Sequence, residues 1–221
     1  IICNTDGFEW RRDKWGKIAR IHWRICEFLV VRFATTLVFD SEVILRYYRL
    51  YHKVSGPVIL YGSEDFAPHE NNTDDYYVVV MRMEPENNIL SIVQGFINSK
   101  SSKELKLIGP STKYFENIIL PLVDSDQRVD WLGPIYNRKE LYNLRSNAFA
   151  YIHGHSVGGT NPTLVEACKI GKPLIVFNTS FSKLVVGNNA IYFSDTKTLT
   201  EVIDSLEYNK PIQPPVLGLS L

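Results

Sequence analysis

The chain has 221 residues, 45% of them hydrophobic, and its 24 Lys and Arg residues are balanced by 24 Asp and Glu residues. This is ordinary globular composition, enough for one large domain or two small ones. Balanced charge argues against nucleic acid as the main partner, and no apolar run reaches the length of a membrane span. The three cysteines are odd in number, far apart and in apolar surroundings. We therefore expect them to be reduced residues of a cytoplasmic protein.

Residues 1–62 predict alternating strands and helices. The expected elements are a strand over 1–5, a helix from about Lys14 to Phe33, a strand over Leu37–Phe39, a helix from Asp40 and Ser41 to about Tyr51, and a strand over Val58–Tyr61. The chain opens without Met, in what reads as a buried strand. We interpret residues 1–62 as the last part of a domain whose N-terminal portion is missing.

Residues 63–74 are polar, include a proline and show no apolar period, which is typical of a linker. Alternation then restarts over 75–208, and an irregular tail follows over 209–221. Strands alternating with helices indicate a parallel sheet, and apolar runs such as VVVM and LIVF indicate strands buried on both faces. The predicted strands are Tyr76–Met81, Leu105–Ile108, Val129–Leu132, Phe149–Ile152, Leu174–Phe177 and Ala190–Phe193. The predicted helices are Asn88–Ser99, Lys113–Val123, Arg138–Arg145, Pro162–Ile170, a short turn near Ser182–Val186 and Leu199–Leu206.

The segment from Tyr151 to Pro173 carries the strongest functional pattern. A strand leads into a glycine-bearing loop, and a helix follows with Asn161 at its N-cap and Pro162 in its first position. Free backbone N–H groups and the positive end of the helix dipole suit an anion at such a place. Glu166, one turn into the helix, suits a sugar hydroxyl, so the pair suggests a nucleotide or nucleotide-sugar diphosphate. The alternative is a glycine that serves turn geometry alone.

Three strings in this order resemble a known family: NTDGFEWRRDKWG at 4–16, RMEPENN at 82–88, and GHSVGGTNPTLVEA at 154–167. They resemble retaining GT-B glycosyltransferases, in particular the bacterial rhamnosyltransferase-like branch of capsule and O-antigen biosynthesis. The resemblance implies one complete Rossmann-type, doubly wound parallel-sheet domain and the C-terminal part of a second. These form an acceptor-side domain over 1–62 and a nucleotide-sugar domain over 75–208.

The resemblance also implies the chemistry. A sugar is transferred with retention from a nucleotide diphosphate donor (dTDP-, UDP- or GDP-linked) to a lipid-linked polysaccharide precursor, with no cofactor and no metal at the diphosphate. Arg82 is expected to grip the phosphates, and the loop containing Gly133 and Ile135 to form the base pocket. Glu166 is expected to bind the ribose. Gly159, Thr160 and Asn161 are expected to contact the sugar, mostly through backbone N–H groups, and Gly158 belongs to the same donor-binding loop. His155 either touches the diphosphate or is a structural histidine.

Two departures from the family pattern point to the donor. Gly158 stands where many relatives carry a sugar-reading acid, and Asn87 and Asn88 stand where the wider superfamily has a Lys. Both departures match the rhamnosyltransferase-like branch, so dTDP-rhamnose is our first choice. A third departure is Asp6, where relatives commonly have a His at the reaction centre. Asp6 either orients the acceptor hydroxyl or donor sugar, or is a turn residue before Gly7.

The segment over residues 10–24 is rich in basic and aromatic residues and has two interpretations. It is either a face that contacts anionic lipid headgroups on the cytoplasmic side of the inner membrane, or an ordinary amphipathic helix that packs Ile18, Ile25 and Leu29 inward. A second hypothesis for the whole chain is a non-catalytic nucleotide-sugar-binding fragment or partner subunit. A GT-B-fold epimerase is disfavoured, because it would need several acids and a His around the sugar.

Overall fold

The computed structural model describes residues 1–5, 7–12, 15–62 and 74–208. The predicted position of Asp6, most of the predicted linker (63–73) and the predicted tail (209–221) lie outside the described residues. The architecture is α/β, with all strand pairs parallel. The predicted fold class is therefore confirmed. None of the described helices is long and apolar enough to cross a bilayer.

The N-terminal part is a two-stranded parallel sheet with two helices. Strand β1 (Ile2–Thr5) pairs with β2 (Thr36–Phe39), and a 3-10 turn (Glu9–Arg11) and helix α1 (Lys17–Phe33) connect them. Helix α2 (Glu42–His52) begins after Ser41, whose hydroxyl accepts a hydrogen bond from the Val43 N–H. The strand predicted over Val58–Tyr61 is wrong, because pairing there is limited to one bridge between Val58 and Phe39.

The second part is a six-stranded parallel sheet in the order β5-β4-β3-β6-β7-β8. Its strands are β3 (Tyr76–Val80), β4 (Glu104–Ile108), β5 (Val129–Gly133), β6 (Ala150–His153), β7 (Leu174–Phe177) and β8 (Ile191–Phe193). Its helices are α3 (Ile89–Ile97), α4 (Leu120–Val123, preceded by a π-helical turn over Phe115–Ile119), α5 (Arg138–Asn147), α6 (Pro162–Ile170), α7 (Ser180–Val186) and α8 (Thr196–Tyr208). The bounds of α6 and β7 agree with the prediction, whereas α8 begins three residues earlier than predicted.

The sheet is covered on both faces. One apolar cluster contains side chains of α3, α4 and α8, and the other contains side chains of α6 and α7. All five residues of β3 are buried, which explains why its sequence is a continuous apolar run and not an alternating one. The sheet order reverses between β3 and β6. Ligands of open parallel sheets bind in the crevice beyond the carboxyl ends of the strands at such a point.

The orientation of α1 corrects a sequence prediction. Ile18, Ile25 and Leu29 do not pack inward, since they are 86%, 53% and 44% exposed, and Ile21 and Phe28 lie exposed beside them. The inward side instead carries Glu27, whose carboxylate accepts hydrogen bonds from Trp10 Nε1 (3.0 Å) and the Tyr47 hydroxyl (2.7 Å) and lies 2.6 Å from His52 Nε2. Val30 and Val31 of the same side pack against the core around Phe39.

This largely buried acid is tolerated because side chains of two other elements, the 3-10 turn (Trp10) and α2 (Tyr47 and His52), satisfy it. Periodicity alone left two interpretations of this helix, one of which packs the isoleucine stripe inward, and it could not show that Trp10, Tyr47 and His52 converge on Glu27. The hydrogen-bonded side of the helix is turned inward and the apolar stripe outward.

We predict that Glu27→Ala destabilises the chain more than Ile25→Ala does. Removing the carboxylate leaves the Trp10 and Tyr47 donors without their acceptor, which should cost about 2 kcal/mol in the free energy of unfolding. Ile25→Ala should change it by less than about 0.5 kcal/mol, as exposed substitutions usually do. Urea denaturation of both variants measures the difference. A larger loss for Ile25→Ala would contradict this orientation of α1.

Candidate functional site

The loop after β6 leads directly into helix α6. Asn161 caps the helix, with its Oδ1 accepting from the Thr163 N–H at 3.0 Å and from the Thr163 hydroxyl at 2.7 Å, and Pro162 occupies the first helical turn. Among the described residues, the backbone N–H groups of Gly158, Gly159 and Thr160 donate no hydrogen bond. The loop therefore presents unused donors next to the positive end of the helix dipole, an arrangement that suits an anion.

The loop after β3 is tied to this first loop through its backbone. Both the N–H and the hydroxyl of Ser156 donate to the Glu86 carbonyl, at 3.0 and 2.6 Å. The Asn88 side chain donates to the Gly154 carbonyl at 2.8 Å, and the Asn87 side chain donates to the Arg82 carbonyl at 2.7 Å. A side chain at Gly154 would meet the Asn87 carbonyl at 2.2 Å, so this close approach requires glycine. These hydrogen bonds hold the loops after β3 and β6 together as one unit.

A cavity of about 220 Å³ lies at the carboxyl ends of β3 and β6. The residues predicted from sequence that line it are Arg82, His155, Gly158, Gly159, Thr160 and Asn161. The structure thus brings the phosphate-binding arginine of one loop and the anion-binding loop of the other to one place. Arg82 is exposed, and within the described part of the chain its guanidinium makes no hydrogen bond or ion pair.

Two stacked imidazoles form the floor of this region. The rings of His153 and His155 lie 4.5 Å apart at an interplanar angle of 17°. Burial, and then the Arg82 and Arg12 guanidinium groups, lower the pKa of His155 to about 4. Burial, and then His155 and Arg145, lower the pKa of His153 well below its usual value. Both rings are therefore neutral at pH 7 and offer one N–H donor and one acceptor nitrogen each.

The N-terminal part closes one side of the site. The Thr160 hydroxyl donates to the Asp40 carbonyl at 2.6 Å, and a side chain at Gly159 would meet the Asp40 carboxylate at 2.4 Å. A side chain at Gly7 would meet the Gly158 Cα at 3.1 Å. Arg12 also lines the cavity. The Thr160 hydroxyl is thus engaged in this contact, which leaves its backbone N–H for a ligand.

Gly133 and Ile135 do not line the cavity. Gly133 ends β5 with a φ of +73°, and its carbonyl accepts from the Gly109 N–H at 2.9 Å. Ile135 packs against the apolar cluster on the α6 side of the sheet. These two residues lie at the end of the outer strand β5, two strands from β3.

Glu166 also lies outside the cavity. Its Oε2 accepts a hydrogen bond from Arg145 Nη1 at 2.6 Å, and its side chain is 42% exposed whereas that of Arg145 is 6% exposed. The buried arginine fixes the orientation of the carboxylate, and the exposed part of Glu166 stays accessible. Glu166 and Ile135 share the sheet face that α5 and α6 cover.

Sequence reasoning missed three charged residues at this end of the sheet: Arg12, Glu86 and Arg145. Arg145 ends a helix that was predicted from its periodicity, and Arg12 lies in the segment singled out for its basic charge. Neither pattern indicates the tertiary contacts of these arginines. Glu86 lies inside the quoted RMEPENN string, directly after Pro85, and could have been found as an acid next to the predicted phosphate-binding arginine.

The neutral histidines predict a pH dependence of stability. The unfolded chain protonates His155 near pH 6.5 and the folded chain near pH 4. The unfolded state therefore binds more protons between these values, and the free energy of unfolding falls as the pH falls through this window, by on the order of 3 kcal/mol. His153 acts in the same direction.

Urea denaturation of the wild-type chain and His155→Gln between pH 4 and pH 7 measures this effect. The slope should be shallower in His155→Gln and unchanged in His22→Gln, which alters an exposed histidine of α1. Equal slopes in all three proteins would contradict the assignment.

The chain resembles known families over its whole described length. A family model described as glycosyl transferases group 1 matches residues 63–213, and a second, described as a domain of unknown function (DUF1972), matches residues 1–64. No curated protein sequence matches the chain.

Solved structures share its fold. Anabaena Alr3699/HepE in complex with UDP-glucose superposes with a TM-score of 0.76 at 13% identity, over 94% of this chain and 62% of that protein. TarM of S. aureus superposes with a TM-score of 0.73 at 11% identity, over 93% of this chain and 42% of TarM. The pneumococcal O-GlcNAc transferase GtfA, in complex with UDP and GlcNAc, superposes with a TM-score of 0.70 at 14% identity, over 93% of this chain and 45% of GtfA. The chain spans about half the length of these proteins. The family matches and the fold agree, and the chain belongs to the group 1 glycosyltransferases, with a DUF1972 domain before the group 1 domain.

Proposed function

We propose that this chain forms the donor-binding side of a retaining glycosyltransferase that uses a nucleotide diphosphate sugar. The observation that carries the proposal is the convergence of three anion-binding features on one cavity. These are the Arg82 guanidinium and the N–H groups of Gly158–Thr160, which have no partner in the described part of the chain, and the N-terminus of α6. An anion placed there meets an exposed cation, the dipole of α6 and a neutral imidazole donor from His155.

The same features suit the chemical step. When the bond between sugar and diphosphate breaks, negative charge grows on the leaving phosphate, and preorganised donors stabilise it. The departing phosphate can take the proton of the acceptor hydroxyl on the face from which it leaves, which gives retention at the anomeric carbon. In this scheme the diphosphate needs neither a metal nor a cofactor. Asp6, which lies outside the described residues, remains a candidate for orienting the acceptor or the donor sugar.

For the nucleoside we propose a path along the carboxyl ends of the strands, from the cavity toward β5. Glu166 would accept the ribose hydroxyls while Arg145 holds its carboxylate in place. The base would lie against the loop of Gly133 and Ile135. The observation that supports this path is that Glu166 and Ile135 share one face of the sheet.

For the reaction partners we propose dTDP-rhamnose as donor and a lipid-linked precursor of capsule or O-antigen polysaccharide as acceptor. Gly158 and Asn87 support this donor, because they leave the cavity without the acid and the lysine that other relatives carry. The relatives bound to UDP and UDP-glucose make a UDP-linked sugar the first alternative.

We predict that one nucleoside diphosphate binds the 221-residue chain with micromolar affinity. Calorimetric titration with dTDP, UDP and GDP identifies the base. Arg82→Gln and Glu166→Ala should each weaken binding about tenfold, the usual effect of losing a hydrogen bond to a charged group. Arg32→Gln, which alters an exposed arginine of α1, is the control.

Absence of binding by all three nucleotides would contradict the proposal. Binding with no transfer from dTDP-rhamnose or UDP-glucose to a lipid-linked acceptor would instead support the non-catalytic, nucleotide-sugar-binding alternative.

We also propose a peripheral contact between α1 and the cytoplasmic face of the membrane. The supporting observation is the exposed apolar stripe of α1 described above, which lies on a helix whose sole acid, Glu27, points inward. Its basic residues, Lys17, Arg20, Arg24 and Arg32, suit anionic headgroups.

This contact predicts that the chain sediments with vesicles containing phosphatidylglycerol, and less so at high salt or with phosphatidylcholine alone. Ile21→Glu should reduce sedimentation, whereas Ile59→Glu, which alters an exposed residue outside α1, should not. If the wild-type chain does not sediment with either vesicle, the stripe is a protein-contact surface and the proposal is wrong.

A further inference from the structure

Glu86 is a buried acid that lines the cavity and has one carboxylate oxygen, Oε2, that is buried without a hydrogen-bond partner among the described residues. The residue is 4% exposed. Burying a carboxylate oxygen without a donor is costly, so such an oxygen in a ligand cavity indicates a donor that arrives with the ligand.

Arg12 does not supply that donor. Its Nη1 lies 3.7 Å from Glu86 Oε1, beyond hydrogen-bond distance, while its Nε lies 2.5 Å from Glu9. Arg12 therefore lies close enough to balance the charge of Glu86 but leaves Oε2 without a hydrogen-bond donor. The Glu86 main chain is fixed, because its carbonyl accepts both hydrogen bonds of Ser156. The Glu86 side chain is also only 2% exposed, so the carboxylate is held away from solvent.

The position of Glu86 complements the missing acid at Gly158. Both residues line the same cavity, together with Arg82 and His155, the groups assigned to the diphosphate. In a nucleotide sugar the transferred sugar is attached directly to that diphosphate. A carboxylate in this cavity is therefore within reach of the sugar hydroxyls, which are donors of the kind that Oε2 lacks.

We propose that Glu86 binds the transferred sugar by accepting its hydroxyl hydrogens, in place of an acid at position 158. This inference rests on the proposed donor site. It also defines the class of donor: an uncharged hexose or deoxyhexose with free hydroxyls, because the carboxylate of a uronic acid would be repelled by Glu86.

The test compares each nucleoside diphosphate with its sugar conjugate on the 221-residue chain. Calorimetry is run with dTDP and dTDP-rhamnose, UDP and UDP-glucose, and GDP and GDP-mannose, using the wild type, Glu86→Gln and Glu86→Ala. Glu104→Gln is the matched control, since Glu104 lies at the opposite end of the sheet, where β4 begins. Thermal unfolding of each variant reports whether it folds.

Glu86→Ala should weaken binding of the conjugate about tenfold and leave binding of the diphosphate within about twofold. Glu86→Gln keeps the shape of the side chain and one acceptor oxygen, so it should weaken binding of the conjugate less than Glu86→Ala does. It also provides the test if the cavity left by alanine destabilises that variant. A purely structural role would lower both affinities together.

An unchanged ratio of the two affinities in both variants overturns the inference while the donor site stands. Failure of the wild type to bind any nucleoside diphosphate overturns the donor site and, with it, this inference.

Discussion

The candidate site depends on the hydrogen bonds between the loops that follow β3 and β6. Ser156 donates twice to the Glu86 carbonyl, and Asn88 donates to the Gly154 carbonyl. These bonds join two strands that are neighbours in the sheet but about seventy residues apart in the chain. Without them, Arg82 and the N–H groups of Gly158–Thr160 would belong to two independent loops. With these bonds, the Arg82 cation, the backbone dipoles of Gly158–Thr160 and the Glu86 acid line one cavity, whose geometry is set before a ligand binds.

The N-terminal part adds a second constraint. Backbone of the Gly158–Thr160 loop packs closely against Gly7 and Asp40, because a side chain at Gly159 would overlap the Asp40 carboxylate and one at Gly7 would crowd the Gly158 Cα. Gly159 therefore serves two purposes, since it admits the neighbouring loop and has a backbone N–H that makes no hydrogen bond among the described residues. Arg12 enters the cleft from this side, so the cavity is built from both parts of the chain. A site between two units of this kind can respond to their relative movement.

Local sequence was sufficient where the structure follows from local chemistry. Helix α6 begins at Pro162 after its Asn161 cap and ends before Gly171, as its capping residues require. Strand β3 was recognisable because a strand buried on both faces must be continuously apolar. The strand predicted over Val58–Tyr61 failed for a related reason: an apolar run has strand propensity, but pairing needs a neighbouring strand, and here the chain meets β2 at one residue.

The sequence by itself determined the fold class, the order of the elements and the identity of the residues around the anion-binding loop. Periodicity, capping and the resemblance of three strings are all properties of contiguous residues. Only the tertiary structure decided which side of α1 is inside, that Arg145 holds Glu166, and that Glu86 lines the cavity with a buried oxygen that has no partner among the described residues. Each of these depends on whether a polar group finds a partner from a distant part of the chain. The partner sets the free-energy cost of burying the polar group, and the spacing of residues along one segment carries no information about that partner.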